Sequence, residues 1–238
     1  MTGLFDFLKD IPPYADNDRT VDRLNARHRL IIDPFQPQIE DARVLDIACH
    51  DGRWSYALAA AGARDVVGIE ARRELIDRFT NFPETDFKSR ITLRCGDLYS
   101  ELESLVASGE CFDVVALYGI FYHVMDHFRL LSLARRLGPE IIIIDSEFIV
   151  IDNAMVQVLN EEISNPLNAT SDVEGITHTV VGVPSRKATE FMARALNYET
   201  TWIDQALVLG DDRKGMHDYF RDGRKVRGTC ALTPASDQ

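Results

Sequence analysis

Residues Arg43-Val-Leu-Asp-Ile-Ala-Cys-His-Asp-Gly52 decide the fold of this chain. A short apolar run ends at the small residue Ala48, a polar turn leads to Gly52, and an alanine-rich helical pattern starts at Trp54. A strand, a tight turn and a helix in this order open a mononucleotide-binding α/β unit. The stretch therefore predicts the first strand of a parallel sheet, with a ligand at its carboxyl end.

Strands and helices alternate over the next hundred residues. The pattern predicts strands at 43–48, 66–70, 91–95, 112–118 and 140–145, and helices at 53–62, 72–80, 100–107 and 126–137. Strands joined by helices of this length pair in parallel through right-handed crossovers. The fold class is therefore α/β, with a doubly wound, mostly parallel sheet of about seven strands.

The two flanks extend this core into one domain, which we expect to span residues 1–238. The sequence predicts a helical lead-in over 1–40 with its main helix at 19–32, a core over 41–148, a cap-like insertion over 149–183, and a C-terminal part over 184–238. In that last part, Ser185 is a plausible cap for a helix that ends near Leu196. Strands at 200–203 and 225–232 follow, and we expect the closing strand to run antiparallel.

Composition limits the partners and the compartment. The 238 residues carry a formal net charge of −12, and such a surface disfavours a nucleic-acid partner because it repels phosphates. The local basic cluster of Arg221, Arg224, Lys225 and Arg227 is interpreted as a solvated hairpin edge. No apolar run is long enough for a membrane span, and the N-terminus lacks the cationic start of a secretory signal. We therefore expect a cytoplasmic protein that does not bind membranes, with four buried free thiols.

Acidic residues follow the next two predicted strands. Glu70 ends the second strand, where a carboxylate could accept hydrogen bonds from both ribose hydroxyls. Asp97 follows the third strand, where it could accept from an adenine amino group while Leu98 packs on the ring. Small residues in the first turn, Ala48 and Gly52, leave room for a ligand near the backbone. Together these positions predict a nucleoside site.

The charge of the first turn indicates which nucleoside. Dinucleotides need glycine where this chain has Ala48, His50 and Asp51, and the Asp51 carboxylate would repel a pyrophosphate. A sulfonium nucleoside reverses the argument, because acidic neighbours such as Asp46 help tolerate its positive charge. Electrostatics therefore favours a sulfonium over a phosphorylated ligand.

These motifs resemble those of class I S-adenosylmethionine-dependent methyltransferases, which have a Rossmann-like fold. The resemblance covers about residues 40–148 and is carried by segments 44–52, 67–71, 95–98 and 112–124. It implies S-adenosyl-L-methionine as cofactor, with a binding set of Asp46, Ala48, Gly52, Glu70, Ala71, Asp97, Leu98 and Tyr118. The family usually has glycine at the positions of Ala48 and His50, so His50 either points away from the cofactor or contacts its carboxylate.

Candidates for catalysis follow the fourth strand. Tyr122 and His123 are the predicted catalytic residues, with His123 as a general base or a substrate contact. His127 lies four residues on, and we expect it to be solvated. The sequence places no third ligand beside the two histidines, so no metal site is predicted. Candidate substrate contacts are Tyr14, Tyr122, Glu147 and His178, the last of which is also a second candidate base.

The leading hypothesis is a methyltransferase that acts on an O, N or S atom of a small-molecule acceptor. The second is an RNA methyltransferase, because Tyr122-His123 and the helix after Pro184 faintly resemble enzymes that modify the wobble uridine of tRNA. Net charge opposes that reading. A non-catalytic nucleoside-binding module and a nicotinamide-dependent oxidoreductase remain as other classes. The sequence leaves the oligomeric state open, a homodimer included.

Overall fold

The structure is a computed structural model that describes residues 3–163, 176–208, 210–213 and 215–235. The described residues form nine strands, numbered along the chain. Seven of them make the central sheet, in the order β3-β2-β1-β4-β5-β9-β8, and β6 and β7 pair separately. The strands are β1 (Arg43–Ile47), β2 (Asp65–Glu70), β3 (Ile91–Cys95), β4 (Val114–Tyr118), β5 (Ile141–Ile149), β6 (Val156–Glu162), β7 (His178–Pro184), β8 (Tyr198–Trp202) and β9 (Lys225–Pro234). The predicted Rossmann-like fold is confirmed.

Helices cover both faces of the sheet. They are α1 (Asp18–Ile31), α2 (Gln36–Ile39), α3 (Arg53–Ala60), α4 (Arg73–Ile76), α5 (Leu98–Ala107), α6 (His127–Arg136), α7 (Arg186–Ala195) and α8 (His217–Phe220). The helix predicted at 72–80 is shorter than expected, because α4 gives way to a 3-10 helix at Asp77–Asn81. Ser185 caps α7 as predicted, since its side chain accepts a hydrogen bond from the Ala188 N–H.

Five parallel strands form the core, and the order of the chain reverses between two of them. Strand β1 pairs with β2 on one side and with β4 on the other, both in parallel. Its apolar side chains are buried on both faces, as Val44 and Leu45 show. In open α/β sheets a ligand binds beyond the carboxyl ends of the strands at such a reversal. The crevice above β1 and β4 is therefore the expected site.

Strand β9 closes the sheet between β5 and β8. It runs antiparallel to both, as predicted for the closing strand. Strand β5 is longer than the predicted 140–145, because its pairing with β9 continues as far as Ile149 opposite Lys225. The extension carries Glu147, and Asp145 lies just before it on the same paired strand, so the sheet fixes the positions of both residues.

The lead-in packs against the first helix of the core. A 3-10 helix at Leu4–Asp10 precedes α1, and the Phe5 ring meets the Trp54 ring edge-on with centroids 5.0 Å apart. Phe5 and the apolar face of α1, including Val21 and Leu30, are fully buried. Tyr118, at the end of β4, donates its hydroxyl hydrogen bond to the Ile31 carbonyl at 2.8 Å, so the end of α1 lies over the carboxyl end of β4. The helical lead-in is confirmed.

The segment predicted as a cap-like insertion contains a separate hairpin. Strands β6 and β7 pair antiparallel from Val156 opposite Pro184 to Glu162 opposite His178. Residues 164–175, which include the predicted Asn165-Pro166 turn, lie outside the described residues. The hairpin touches the sheet through β5.

Two further expectations have outcomes in the described residues. None of the helices there is long and apolar enough to cross a membrane. All four cysteines are free, but only Cys49 and Cys230 are buried. The expectation of four buried thiols is therefore wrong for Cys95, which is half-buried, and for Cys111, which is exposed in the loop before β4.

Candidate functional site

Two cavities lie beyond the carboxyl ends of the central strands. The first, which we call the carboxylate cavity, has a volume of about 290 Å³. Its walls come from the ends of β1 and β2, the start of α5 and the loop after β4. The lining residues are Ala48, Ile69, Glu70, Ala71, Gly96, Asp97, Leu98, Tyr99, Ile120, His123, Val124, Met125 and Asp126. Of the eight cofactor residues predicted, five line it: Ala48, Glu70, Ala71, Asp97 and Leu98.

The turn between β1 and α3 has an unusual backbone. Ala48 and His50 have φ angles of 59° and 58°, in the left-handed region that favours glycine, and Gly52 has 79°. Gly52 is buried, and a Cβ there would lie 2.7 Å from Phe79 and 2.9 Å from Leu93. Gly52 therefore serves the turn and its packing, and it lines neither cavity described here.

Glu70 is held in place at the end of β2. Its Oε2 accepts the His50 backbone N–H at 3.1 Å, and its Oε1 accepts the Arg72 backbone N–H at 3.1 Å and Nε at 2.9 Å. The carboxylate is 4% exposed and faces the cavity. A buried carboxylate fixed in this way can present acceptor oxygens to a diol with little loss of side-chain entropy.

Asp46 lies beneath the same turn with one oxygen unused. Its Oδ2 accepts the Ser55 hydroxyl at 2.7 Å, but its Oδ1 is buried and accepts no hydrogen bond from the described residues. Burial raises the pKa of Asp46 to about 7, although the Ser55 hydrogen bond opposes the rise. A buried carboxylate oxygen without a donor is costly. A cationic or N–H group of a ligand would remove that cost.

Asp97 and Leu98 follow β3, the neighbour of β2, and line the same cavity as Glu70. Asp97 is the N-cap of α5, and its Oδ1 accepts the Ser100 N–H at 3.0 Å and the Ser100 hydroxyl at 2.9 Å. Within the described residues its Oδ2 has no hydrogen-bond donor. The cap holds an exposed carboxylate at the rim of the cavity, with the apolar Leu98 beside it.

The second cavity, which we call the arginine cavity, has a volume of about 470 Å³. Its walls come from α1, the first turn, the end of β4, β5 and β9. The lining residues are Thr20, Arg23, Leu24, Arg27, Ala48, His50, Arg53, Trp54, Arg72, Tyr118, Gly119, Ile120, Tyr122, His123, Glu147, Asp218 and Arg227. Ala48, Ile120 and His123 line both cavities, so the two adjoin at these residues.

A buried ion network forms the floor of the arginine cavity. Asp145 Oδ1 accepts Arg27 Nη2 at 2.6 Å and Arg227 Nη1 at 2.7 Å, and its Oδ2 accepts the Tyr219 hydroxyl at 2.5 Å and the Thr229 hydroxyl at 3.0 Å. Burial by itself would raise the pKa of Asp145. Arg27 and Arg227 outweigh burial and hold that pKa below its ordinary value. The network ties α1 to β5 and β9.

His123 lies where the cavities meet. Its Nδ1 is 3.0 Å from Glu161 Oε2 on β6, and its ring lies against the Tyr122 ring with centroids 4.0 Å apart. Burial lowers the pKa of His123, and Glu161 opposes that shift. A neutral ring with one nitrogen held by a carboxylate leaves its second nitrogen available as a proton acceptor.

Comparisons with known proteins relate part of this chain to a sequence family. Residues 44–140 match a sequence family described as "Methyltransferase domain". Residues 44–140 of this chain therefore carry a methyltransferase domain. The matched residues include the first turn, Glu70, Asp97 and Tyr122-His123.

Solved structures share the fold of this methyltransferase domain. The crystal structure of the N-terminal domain of EvdMO1 with SAH bound is 21% identical, with a TM-score of 0.62 over 90% of this chain and 81% of that one. A putative S-adenosylmethionine-dependent methyltransferase from Listeria monocytogenes is 11% identical, with a TM-score of 0.58 over 89% of this chain and 97% of that one.

Curated relatives match a shorter stretch. A tRNA U34 carboxymethyltransferase from Marinobacter nauticus is 29% identical over 122 residues, which are 50% of this chain and 35% of that protein. A protein of the same name from Cellvibrio japonicus is 27% identical over 54% of this chain and 39% of its own length. The chain thus spans well under half the length of the curated relatives it matches.

The remaining predicted residues of the methyltransferase fall in different places. Tyr118, Tyr122 and Glu147 line the arginine cavity. Glu147 accepts Arg221 at 2.6 Å and Lys225 at 2.7 Å. Tyr14 is buried beside the cavities and donates its hydroxyl hydrogen bond to Asp51, so its position is structural.

Two histidines differ from expectation. His178 lies opposite Glu162 on the hairpin and is exposed. Side chains alternate along a strand, so His178 faces away from the side on which Glu161 meets His123, and it lines neither cavity described here. His127 was expected to be solvated, but it is 2% exposed because the Gly182 carbonyl accepts from its Nε2 at 3.0 Å.

Sequence reasoning missed most of the arginine cavity. The cluster around Arg227 was interpreted as a solvated edge, which is wrong for Arg227: it is 6% exposed and joins Asp145 and Asp218. Arg23 and Arg27 were not singled out, although their spacing of four places them on one face of α1. The spacing of these arginines, together with the acidic residues at the end of β5, was the sequence signal that could have indicated a buried ion network.

Proposed function

We propose that this methyltransferase transfers a methyl group from S-adenosylmethionine to an O, N or S atom of a small acceptor that occupies the arginine cavity. The observation that carries the proposal is the junction of the two cavities at Ala48, Ile120 and His123. A donor in one cavity and an acceptor in the other would meet at that junction. Methyl transfer needs this in-line approach and the exclusion of water.

The carboxylate cavity fits the cofactor. Glu70 would bind the ribose hydroxyls, and Asp97 with Leu98 would bind the adenine. Asp46 lines neither cavity, so its unused Oδ1 would accept the amino group of the methionine part only after a small shift of the first turn, which would remove the cost of an orphaned buried oxygen. When bound, S-adenosylmethionine supplies a methyl group on a sulfonium. The protein needs only to position the acceptor and manage its proton.

His123 is the residue placed to accept that proton. Glu161 would hold the Nδ1 hydrogen, so that Nε2 is the basic nitrogen at the junction. Because burial lowers the pKa of His123, the ring is neutral at pH 7 and able to accept. Tyr122, whose hydroxyl accepts Arg227 Nη2 at 3.3 Å, would contact the acceptor.

His123→Asn is expected to lower kcat by about 10²- to 10⁴-fold, the usual contribution of a general base. Cofactor affinity should change much less. In the wild type, kcat should be flat above neutral pH and fall on acidification, because protonated His123 cannot accept. Glu161→Gln removes the charge that raises the pKa of His123, so the acidic limb of its pH profile should move to lower pH. Unchanged kcat in His123→Asn would show that no base acts here.

The test of the proposed function is a direct assay of methyl transfer. The protein would be incubated with S-[methyl-³H]adenosylmethionine and either a panel of hydroxy-, amino- and thiol-bearing small aromatic and aliphatic acceptors or total bacterial tRNA. We expect label in a small-molecule fraction. Label that enters tRNA and no small molecule would overturn the proposal.

RNA is the competing acceptor because of the names of the curated relatives. The net charge of −12 opposes it, since binding to RNA relies on contacts with phosphates. Four arginines, Arg23, Arg27, Arg53 and Arg227, each pair with a carboxylate and line a cavity, where they are less accessible to a polynucleotide than arginines on an open surface. A small acceptor therefore agrees better than RNA with the net charge of the chain and with the position of these arginines in a cavity.

A further inference from the structure

We infer that the acceptor is an acid, whose carboxylate or phosphate binds between Arg27 and Arg53 in the arginine cavity. The inference rests on the proposed function, and it adds the substrate class. It depends on three observations: the charges that line the cavity, the guanidinium nitrogens left without acceptors, and the mutual repulsion of the arginines.

The lining of the cavity is richer in cations than the protein as a whole. The whole chain has a formal net charge of −12, yet five arginines and only two carboxylates, Glu147 and Asp218, line this cavity. Other carboxylates lie behind the wall and pair with individual arginines, as Asp145 and Asp51 do. A cavity that concentrates cations in an acidic protein attracts anions and repels protonated amines.

The hydrogen bonds of two arginines are incomplete on the cavity side. Arg27 uses Nη2 for Asp145 and Nε for Tyr219, and Arg53 uses Nε for Asp51 and Nη2 for His50. Within the described part of the chain, neither Nη1 has an acceptor. By contrast, Arg23 is satisfied by a bidentate pair with Asp218 and by the Gly215 carbonyl. The free donors are therefore those of Arg27 and Arg53.

Arg27 and Arg53 line the same cavity, so their like charges repel each other. Burial and the charge of Arg27 both act to lower the pKa of Arg53, and Asp51 outweighs them. Burial and the charge of Arg227 act in the same direction on Arg27, which Tyr219 and Asp145 outweigh. An anion between Arg27 and Arg53 would reduce this repulsion and accept the unused donors. A planar guanidinium matches a carboxylate or a phosphate in geometry.

An aromatic ring packs against each of the two guanidinium groups and keeps their donors in place. The Arg27 guanidinium lies over the Trp54 ring at 4.9 Å, and that of Arg53 lies over the Tyr14 ring at 5.2 Å. Arg27 is 8% exposed, and the side chain of Arg53 is 14% exposed. Little conformational freedom is lost when such side chains bind a ligand, so a small anion could bind measurably by itself.

The experiment measures thermal stability with anion probes. Protein saturated with S-adenosylhomocysteine is melted in sodium benzoate, sodium phosphate or sodium chloride at equal ionic strength. S-adenosylhomocysteine has the same carboxylate as the cofactor. Any arginine that binds this carboxylate is therefore already occupied before the anion is added. The test variant is Arg53→Gln. Asp51 loses Arg53 in this variant but keeps its contacts with Tyr14 and His50, so we expect the variant to fold. The control is Arg129→Gln, which removes one positive charge from an exposed pair with Glu103.

We expect benzoate or phosphate at about ten times its dissociation constant to raise the Tm by roughly 2–5 °C over chloride. The gain should disappear in Arg53→Gln and persist in Arg129→Gln. The more effective probe distinguishes a carboxylic from a phosphoric acid acceptor. No gain over chloride, an equal gain in Arg53→Gln, or a gain only without S-adenosylhomocysteine would each overturn the inference. Label entering tRNA in the transfer assay would instead overturn the proposed function, so the two failures are distinguishable.

Discussion

Asp145→Asn is expected to lower the free energy of unfolding by about 3–5 kcal/mol, the cost of leaving buried charges without their partner. Asp145 is fully buried and accepts hydrogen bonds from four side chains, two of them arginines. An amide cannot neutralise Arg27 and Arg227, and its NH₂ group would face donors. For a domain of this size we expect the Tm to fall by roughly 10 °C or more.

Chemical denaturation of the wild type and variant measures this loss, and pH gives a second check. The pKa of Asp145 is held below its ordinary value by Arg27 and Arg227. Its contribution to stability is therefore present above about pH 4, the usual pKa of an aspartate, and is lost as pH falls through the lower native value. The difference in the free energy of unfolding between wild type and variant should be largest at neutral pH and should become smaller in acid.

The matched control for Asp145→Asn is Glu103→Gln. It makes the same change of acid to amide in an ion pair with Arg129, whose side chains are 53% and 47% exposed. Exposed pairs contribute at most about 1 kcal/mol. Similar small losses in both variants would show that the buried network does not hold α1 to the sheet.

The order of the core could be predicted from sequence because each element has its own local signal. Strand β1 and helix α3 are marked by the switch from an apolar run to an alanine-rich helix, and Ser185 marks the start of α7. Such signals depend on neighbours within a few residues. They also placed Glu70 and Asp97 at one edge of the sheet, since parallel strands end on the same side.

The arginine cavity could not be predicted in the same way, because its members are far apart in the chain. Arg27 and Asp145 are 118 residues apart, and Arg227 lies a further 82 beyond Asp145. A charged residue looks solvated in sequence until its partner is known. Arg227 was interpreted as solvated for that reason. The position of His178 also depended on strand register, which the sequence between 149 and 183 does not fix.

Glu70→Ala is expected to weaken the binding of S-adenosylhomocysteine by about 10- to 100-fold. Hydrogen bonds to a charged group contribute about 1.5–3 kcal/mol, and the Glu70 carboxylate is the acceptor proposed for the ribose hydroxyls. Glu70→Gln keeps an acceptor oxygen without the charge, so we expect a smaller loss. Isothermal titration calorimetry measures both. The His50 N–H would lose its acceptor in Glu70→Ala, so Tm should be recorded for each variant.

The control for Glu70→Ala is Glu74→Ala, which removes the same charge four residues later from an exposed position in α4. Its affinity should equal that of the wild type. If Glu70→Ala is folded and binds the product within twofold of the wild type, the ribose lies elsewhere and the donor cannot occupy the carboxylate cavity as proposed. The proposed acceptor site would then be unsupported as well. A donor and an acceptor in the two cavities can react only if the sulfonium lies at their junction near His123.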